Sequence, residues 1–148
     1  RSRLENDITE VGFKYAMNNV NATIGLIQMN HVYEVVGKYI ENGKFYDRAL
    51  VGVDGVQLVE YNPNTEASYW LYTMKVEKRE EFMRAMEAAG INASPLHHRS
   101  DTHSIFRKSR RELPQMEEWY NNFVHIPCGW WVSEEDRDFI VETITKGW

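Results

Sequence analysis

YWLYTMKVEKREEFMRAMEAAG, residues 69 to 90, contains the change of pattern that decides the fold. Its first part, YWLYTMKV, is rich in aromatic and β-branched side chains, which favours a strand. In the second part Phe82, Met86 and Ala89 recur on one helical face. Gly90 follows where the C-terminal cap of a helix belongs. The stretch predicts a strand followed directly by a short amphipathic helix.

Two further segments extend this strand into a sheet. VQLVEY, residues 56–61, has the same β-favouring composition, and the turn-forming NPNTEAS lies between the two runs. Together they predict an antiparallel hairpin with a longish loop. INASPLHH, residues 91–98, is expected to form a third strand that runs into a polar loop.

Helical patterns flank this sheet on both sides. A helix is predicted to begin at an N-cap provided by Asn18 or Asn19 and to stop at Asn42-Gly43. Near the C-terminus, LPQMEEWYNNF predicts a modest helix and VHIPC a short extended piece. Ser133 and Asp136 resemble a capping box at the start of a last helix. The N-terminal helix is predicted from apolar residues at helical spacing, namely Val20, Ile24, Ile27, Val32, Val35, Tyr39 and Ile40.

The sum is an α+β fold: a small antiparallel sheet of about three strands with helices packed on it. The chain has 148 residues, of which 43% are hydrophobic, enough for one domain with a real core. Residues 1–17 are expected to be an extended lead-in and residues 18–148 the folded domain.

Charge and composition argue against several classes of protein. The formal charge of −5 argues against a dedicated nucleic-acid binder. No apolar run approaches the ~18 residues of a membrane span, and no charged-then-apolar leader is visible. The single cysteine, Cys128, permits no internal disulfide, which fits a cytoplasmic location. We expect it to be packed and inert, and the GWW pair after it to lie in the core or at an interface.

HHRSDTH, residues 97–103, is the densest cluster of candidate ligands. A metal site at His97, His98 and His103 is one reading, although the spacing matches no regular ligand pattern. The others are a plain polar loop, or a substrate loop in which His98 and Arg99 donate hydrogen bonds. The basic run RKSRR that follows could meet a phosphate or be a solvated face.

Lys14 lies just ahead of the asparagines that begin the first helix. An ammonium beside a helix N-terminus suits a phosphate, because backbone N–H groups converge there. The alternative is an exposed lysine on a loop, and the residues alone leave both open. Composition and spacing alone identify no complete set of catalytic residues.

GFKYAMNNVNATIGLIQM, residues 12–29, resembles the G-Y-N-Y-R-M…A-A-I-G-L-x-Q segment of DegT/StrS-type nucleotide-sugar aminotransferases. Further pieces agree in order: the helix ending in AAGI, the P-L-H segment at residues 95–97, and the run from Leu113-Pro114 to Asp136. These proteins are fold-type I pyridoxal-phosphate enzymes and include perosamine synthetase. The resemblance covers the whole chain but only the C-terminal part of a family member, so it implies the C-terminal small domain.

The resemblance also implies what this chain does not carry. In the family a large N-terminal domain bears the lysine that binds the cofactor covalently, and no matching segment occurs here. We therefore expect pyridoxal phosphate only in the complete enzyme, and no catalytic residue and no activity in this chain alone. The expected partners are that missing domain, a nucleotide sugar and a second copy of the protein.

Residue roles follow from the same resemblance. Lys14 stands where the family has an asparagine that reaches the cofactor phosphate of the neighbouring subunit, and the family arginine two places on is Ala16 here. The substrate side of the pocket is expected to be lined by Tyr15, Asn18, His97, His98 and Arg99.

Two functions stay open at this stage. The first is a domain of an enzyme that transfers an amino group from glutamate to a keto-sugar nucleotide. The alternative is a stand-alone module that binds a nucleotide sugar or another subunit without catalysis.

Overall fold

The structure is a computed structural model of the chain and describes residues 7–148, so the first six residues of the predicted lead-in lie outside it. The regular elements in chain order are α1 (Asn19–Gln28), α2 (Val32–Ala49), β1 (Val56–Leu58), β2 (Tyr72–Val76), α3 (Arg79–Ala88), α4 (Pro114–Asn122), β3 (Phe123–Ile126) and α5 (Glu134–Thr145). Short 3₁₀ helices span Met29–His31, Ser100–Thr102 and Ser104–Ser109. Among these described helices, none is both long enough and apolar enough to cross a bilayer.

The three strands form one antiparallel sheet in the order β1-β2-β3. Val56 pairs with Val76, and Tyr72 pairs with Ile126. The hairpin, α3 with its cap at Gly90 (φ 77°), α4 and the Ser133–Asp136 capping box are confirmed. The predicted α+β class is also confirmed.

The third strand is not where the sequence predicts it. Residues 91–98 contribute only an isolated bridge, between Ser94 and His125, and the strand beside β2 is Phe123–Ile126. Pro95 follows Ser94 and has no N–H to donate, so the pairing cannot continue there. Every residue of β3 is buried, because it lies between the sheet neighbour and the helices.

The predicted helix stop at Asn42-Gly43 is wrong, since α2 continues to Ala49. Asn42 is 3% exposed, and its amide donates to the Gly129 carbonyl oxygen at 3.0 Å. Gly43 lies against the ring of Tyr69, and a Cβ there would be 2.1 Å from the ring carbon Cγ. Both residues therefore serve close packing of the helix rather than its termination.

The core lies between α2, α3 and α5 on one side and the sheet on the other. β2 alternates buried and half-buried residues along its length, as a strand with one core face does. The fully buried large side chains are Tyr46, Leu50, Tyr72, Met74, Phe82, Met86, Val124, Ile126 and Ile144. Cys128 is 3% exposed, and burial raises the pKa of its thiol to about 12, which confirms the packed cysteine.

The N-terminal segment is packed differently from this body. α1 contains no buried residue, and Val20, Ile24 and Ile27 are 67%, 55% and 59% exposed. Trp130 and Trp131, expected in the core or at an interface, are 59% and 62% exposed, so they are not core residues.

Candidate functional site

The predicted substrate residues His97, His98 and Arg99 lie at the start of one loop, residues 96–105, which we call the histidine loop. It leaves the sheet beside His125 and passes over α4. His98 is held by two hydroxyl groups: its Nε2 lies 2.8 Å from Thr102 Oγ1 and its Nδ1 lies 3.3 Å from Tyr120 Oη. Both ring nitrogens are thus engaged within the protein.

Arg99 is also paired internally. Its Nε and Nη2 donate to the two carboxylate oxygens of Asp101 at 2.9 and 2.6 Å, and its guanidinium lies 5.9 Å from the Tyr120 ring centroid. The hydrogen bonds from Arg99 lower the pKa of the Asp101 carboxyl. This bidentate pair shapes the loop, because a planar guanidinium fixes the direction of its partner.

Like His98, and unlike the half-buried Arg99, His97 is exposed. Its ring stacks on Trp70, with centroids 5.6 Å apart and planes 24° from parallel. Within residues 7–148, no hydrogen bond to its ring nitrogens is formed. It therefore presents two polar atoms on an aromatic platform.

A cavity of about 260 Å³ opens beside these residues between α4 and the sheet. Its lining is mainly aromatic and apolar, with two histidines and an arginine: Thr73, Leu96, His97, Arg99, Met116, Trp119, Tyr120, Phe123 and His125. Such a mixture suits a small ligand with a flat or apolar part and a few polar groups.

His125 forms the inner wall of this cavity. It is 9% exposed, its Nδ1 lies 2.9 Å from Thr73 Oγ1, and its Nε2 contacts the Leu96 carbonyl oxygen. Burial lowers the pKa of the imidazole, the bond to Leu96 opposes this, and His97 adds a smaller lowering effect.

The lead-in segment reaches the histidine loop at its far end. The Asp7 carboxylate accepts from the Ser104 backbone N–H at 2.7 Å and from the Ser104 hydroxyl. Ile8 N–H donates to His103 Nδ1 at 3.2 Å, and Ile105 N–H donates to the Ile8 carbonyl at 3.1 Å. The hydrogen bonds from Ser104 lower the pKa of the Asp7 carboxyl.

The other predicted site residues lie apart from this loop. Tyr15 is 89% exposed, and Lys14 is exposed beside it on the extended segment before α1. Asn18 is confirmed as the N-cap, since its side chain accepts from Asn21 N–H at 3.0 Å, and Asn21 in turn donates to the Ala16 carbonyl. Within the described part, no hydrogen bond or ion pair joins Lys14, Tyr15 or Asn18 to the histidine loop.

The hypothesis of a metal site has no matching geometry in residues 7–148, because no three His, Cys, Asp or Glu side chains converge there. The His98 and His103 rings meet edge to face at 5.4 Å between centroids, whereas His97 turns toward Trp70. The RKSRR run lies on the surface, and Arg110 donates to the carbonyls of Asp101 and Thr102.

Several contributors to this site were not selected from the sequence. Asp101, Tyr120 and Trp70 carry no motif, although an acid two residues after Arg99 is a signal for a local ion pair. Thr73 and Asp7 meet their partners across 52 and 97 residues, a separation that no local pattern reveals.

The fold and the loop define a class: a small α+β domain with a polar, aromatic-backed loop and an uncovered N-terminal helix. The DegT/DnrJ/EryC1/StrS aminotransferase family matches residues 1–145, and the chain belongs to that family. The predicted family resemblance is thereby confirmed.

Solved structures agree with this membership. The sugar aminotransferase CalS13 from Micromonospora echinospora is 39% identical with a TM-score of 0.86, over 93% of this chain and 37% of that one. AtS13 from Actinomadura melliaura is 42% identical with a TM-score of 0.86, over 96% of this chain and 38% of its own. Among curated proteins, GDP-perosamine synthase from Escherichia coli O157:H7 is 22% identical over 139 residues, 92% of this chain. The chain spans 38% of that relative's length.

Proposed function

We propose that this chain is the C-terminal small domain of a pyridoxal-phosphate-dependent nucleotide-sugar aminotransferase. The complete enzyme would transfer an amino group from glutamate to a keto-sugar nucleotide, in the manner of a perosamine synthetase. The observation that carries the proposal is the match over 93% of this chain to only 37% of a sugar aminotransferase. Residues 1–17 would be the segment that crosses from the missing large domain.

The histidine loop supports a role in binding the substrate. His97 offers exposed ring nitrogens on the Trp70 platform, beside the cavity behind α4. His98 and Arg99 would hold the loop in shape through Tyr120 and Asp101, and Arg99 also lines the cavity. In this arrangement His97 makes the direct polar contact with the sugar nucleotide.

The crossing segment suits the phosphate of the cofactor. Lys14 is exposed and lies four residues before the N-cap of α1, and among the described residues no carboxylate pairs with it. A phosphate could therefore accept from its ammonium and from the open amides at the helix start. Pyridoxal phosphate, when bound, supplies the electron-withdrawing ring that amino transfer requires. This chain would contribute orientation and charge there.

The uncovered apolar side chains of α1 support a larger assembly. Val20, Ile24 and Ile27 share one face of the helix by their spacing, and all three are more than half exposed. Contiguous apolar surface of this kind marks a contact with another domain or subunit. We infer that the lysine-bearing domain and a second copy of the protein cover it, as the family resemblance implies.

The test uses the complete polypeptide, extended upstream of Arg1. We expect the upstream frame to encode a lysine-bearing cofactor domain, and the purified protein to transfer an amino group from glutamate to a keto-sugar nucleotide. The isolated 148-residue chain should be inactive. A stop or start codon immediately upstream, together with nucleotide-sugar binding by the isolated chain, would instead establish the stand-alone module.

Lys14→Ala in the complete polypeptide tests the phosphate contact. We expect weaker retention of pyridoxal phosphate, measured by its absorbance after dialysis. Lys44→Ala is the matched control, because Lys44 is an exposed lysine on α2, away from the crossing segment. Equal cofactor retention in the two variants would remove Lys14 from the site.

A further inference from the structure

His125 connects three separate parts of the chain. It pairs with Thr73 in the register of β2 and β3. Its backbone exchanges two hydrogen bonds with Ser94, at 2.9 and 3.1 Å. Its side chain contacts Leu96 on one edge of the ring and Thr73 on the other. No other residue of β3 both pairs with β2 and reaches the histidine loop within residues 7–148.

The partners determine the protonation state of the ring. The Leu96 carbonyl oxygen can only accept, so Nε2 must carry the hydrogen. In a neutral imidazole Nδ1 then has a free lone pair, which accepts from the Thr73 hydroxyl. Burial favours this neutral form.

The geometry places this contact at the origin of the histidine loop. Leu96 immediately precedes His97 and lies three residues before Arg99. Beyond Ser94 the backbone ladder ends, and the bond from His125 Nε2 is the next link between the loop and the sheet. We propose that His125 is a positioning residue that fixes Leu96 and thereby the His97–Trp70 stack. Its relevance to a substrate rests on the proposed function, whereas the positioning role does not.

Two substitutions separate positioning from general stability. The amide nitrogen of His125→Gln reaches about as far as Nε2, so this variant keeps a donor for Leu96. The shorter amide of His125→Asn reaches only the position of Nδ1, so it keeps a partner for Thr73 and loses Leu96. Both variants leave a polar amide in the same buried place, which makes each the control for the other.

The readout is the ¹⁵N-labelled 148-residue chain in solution. The signal of the Trp70 indole N–H reports the stack with His97. The signal of the Trp148 indole N–H reports the core, because the Trp148 ring packs on Phe82 and its N–H donates to the Glu77 carbonyl at 2.8 Å. We expect the signals of Trp70 and of residues 97–99 to move in His125→Asn and to stay near wild type in His125→Gln. The Trp148 signal should stay in place in both.

Three results would overturn the proposal. One is a Trp70 signal that is unchanged in His125→Asn, and another is an equal displacement of Trp70 in both variants. The third is a wild-type His125 ring that carries its hydrogen on Nδ1. Amino transfer by the complete polypeptide is the separate test of the proposed function: its absence counts against that function, and the Asn–Gln comparison still decides the positioning role.

Discussion

The segment from residue 7 to residue 31 and the body from α2 to α5 are built by different rules. The body buries aromatic and aliphatic side chains from three helices and the sheet. The N-terminal segment has an N-cap and an apolar stripe, but α1 buries none of its ten residues. A helix of that length is marginal in water without packing. The difference teaches that contacts within the body are enough to stabilise it, whereas α1 needs contacts with another domain or subunit to be stable.

Phe82→Ala should show the largest effect on this comparison. Phe82 is fully buried and packs edge to face on Trp148 with ring centroids 4.9 Å apart. Removing a buried phenylalanine ring typically costs about 3–5 kcal/mol of unfolding free energy. Urea denaturation followed by circular dichroism measures the loss.

Ile24→Ala in α1 is the matched substitution in the other region. Ile24 is 55% exposed, so its loss should change the unfolding free energy by less than about 0.5 kcal/mol. Comparable losses for Ile24 and Phe82 would mean that the two regions share one core.

A second pair compares glycines within the two helices. Gly43→Ala places a Cβ against the Tyr69 ring, whereas Gly25→Ala meets nothing within 4 Å. We expect Gly43→Ala to lower the free energy of unfolding by about 1–2 kcal/mol, because the cost of overpacking against Tyr69 is larger than the gain in helix propensity. Gly25→Ala should be neutral or raise the helical signal. A stable Gly43→Ala variant would show that Tyr69 is free to move.

The two helix caps give a smaller contrast. Ser133→Ala removes the half of the capping box in which the Ser133 hydroxyl accepts from the Asp136 N–H, and it keeps the bond from the backbone N–H of residue 133 to the Asp136 carboxylate. The helix α5 that this box begins packs in the core through Ile140 and Ile144. The expected loss is about 1 kcal/mol of unfolding free energy. Asn18→Ala should reduce the helical signal of α1 and leave the unfolding midpoint unchanged. A lowered midpoint for Asn18→Ala would show that α1 unfolds together with the body.

The smallest expected effect is the pH dependence that arises from His125. Its pKa in the folded protein is below the usual 6.5, so the unfolded chain binds the proton first as pH falls. The contribution of His125 to the free energy of unfolding should therefore be fully present above pH 6.5, and it should decrease as the pH falls from 6.5 to the lowered pKa. His97 and the charged Arg99 line the same cavity and face this ring. His125→Gln should flatten the dependence between pH 7 and pH 5, and an identical slope in both proteins would contradict the assignment.

The sequence predicts those parts of the fold that local patterns control. The hairpin, α3, α4 and the capping box follow from composition and spacing within a few residues. The third strand and the run through Asn42-Gly43 depend on partners that lie far away in the chain. No local rule predicts that a carbonyl of Gly129 or a ring of Tyr69 will meet α2.

The site follows the same division. The sequence selects His97, His98 and Arg99, and the structure brings them into one loop. The roles of these three residues toward a ligand stay predictions, and so do those of Lys14, Tyr15 and Asn18. The sequence does not reveal that Asp7 meets Ser104 or that His125 reaches Leu96, because these contacts exist only once the chain has folded.

The pairing of β2 with β3 has a consequence for the order of folding events. Thr73 and His125 are 52 residues apart in the chain, whereas β1 and β2 are joined by one loop. Closing the longer connection is slower, so the hairpin should form first. During that interval the open edge of β2, with Tyr72, Met74 and Val76, is available to a strand of another molecule. Refolding yield should accordingly fall as protein concentration rises, even though the finished sheet covers both sides of β2.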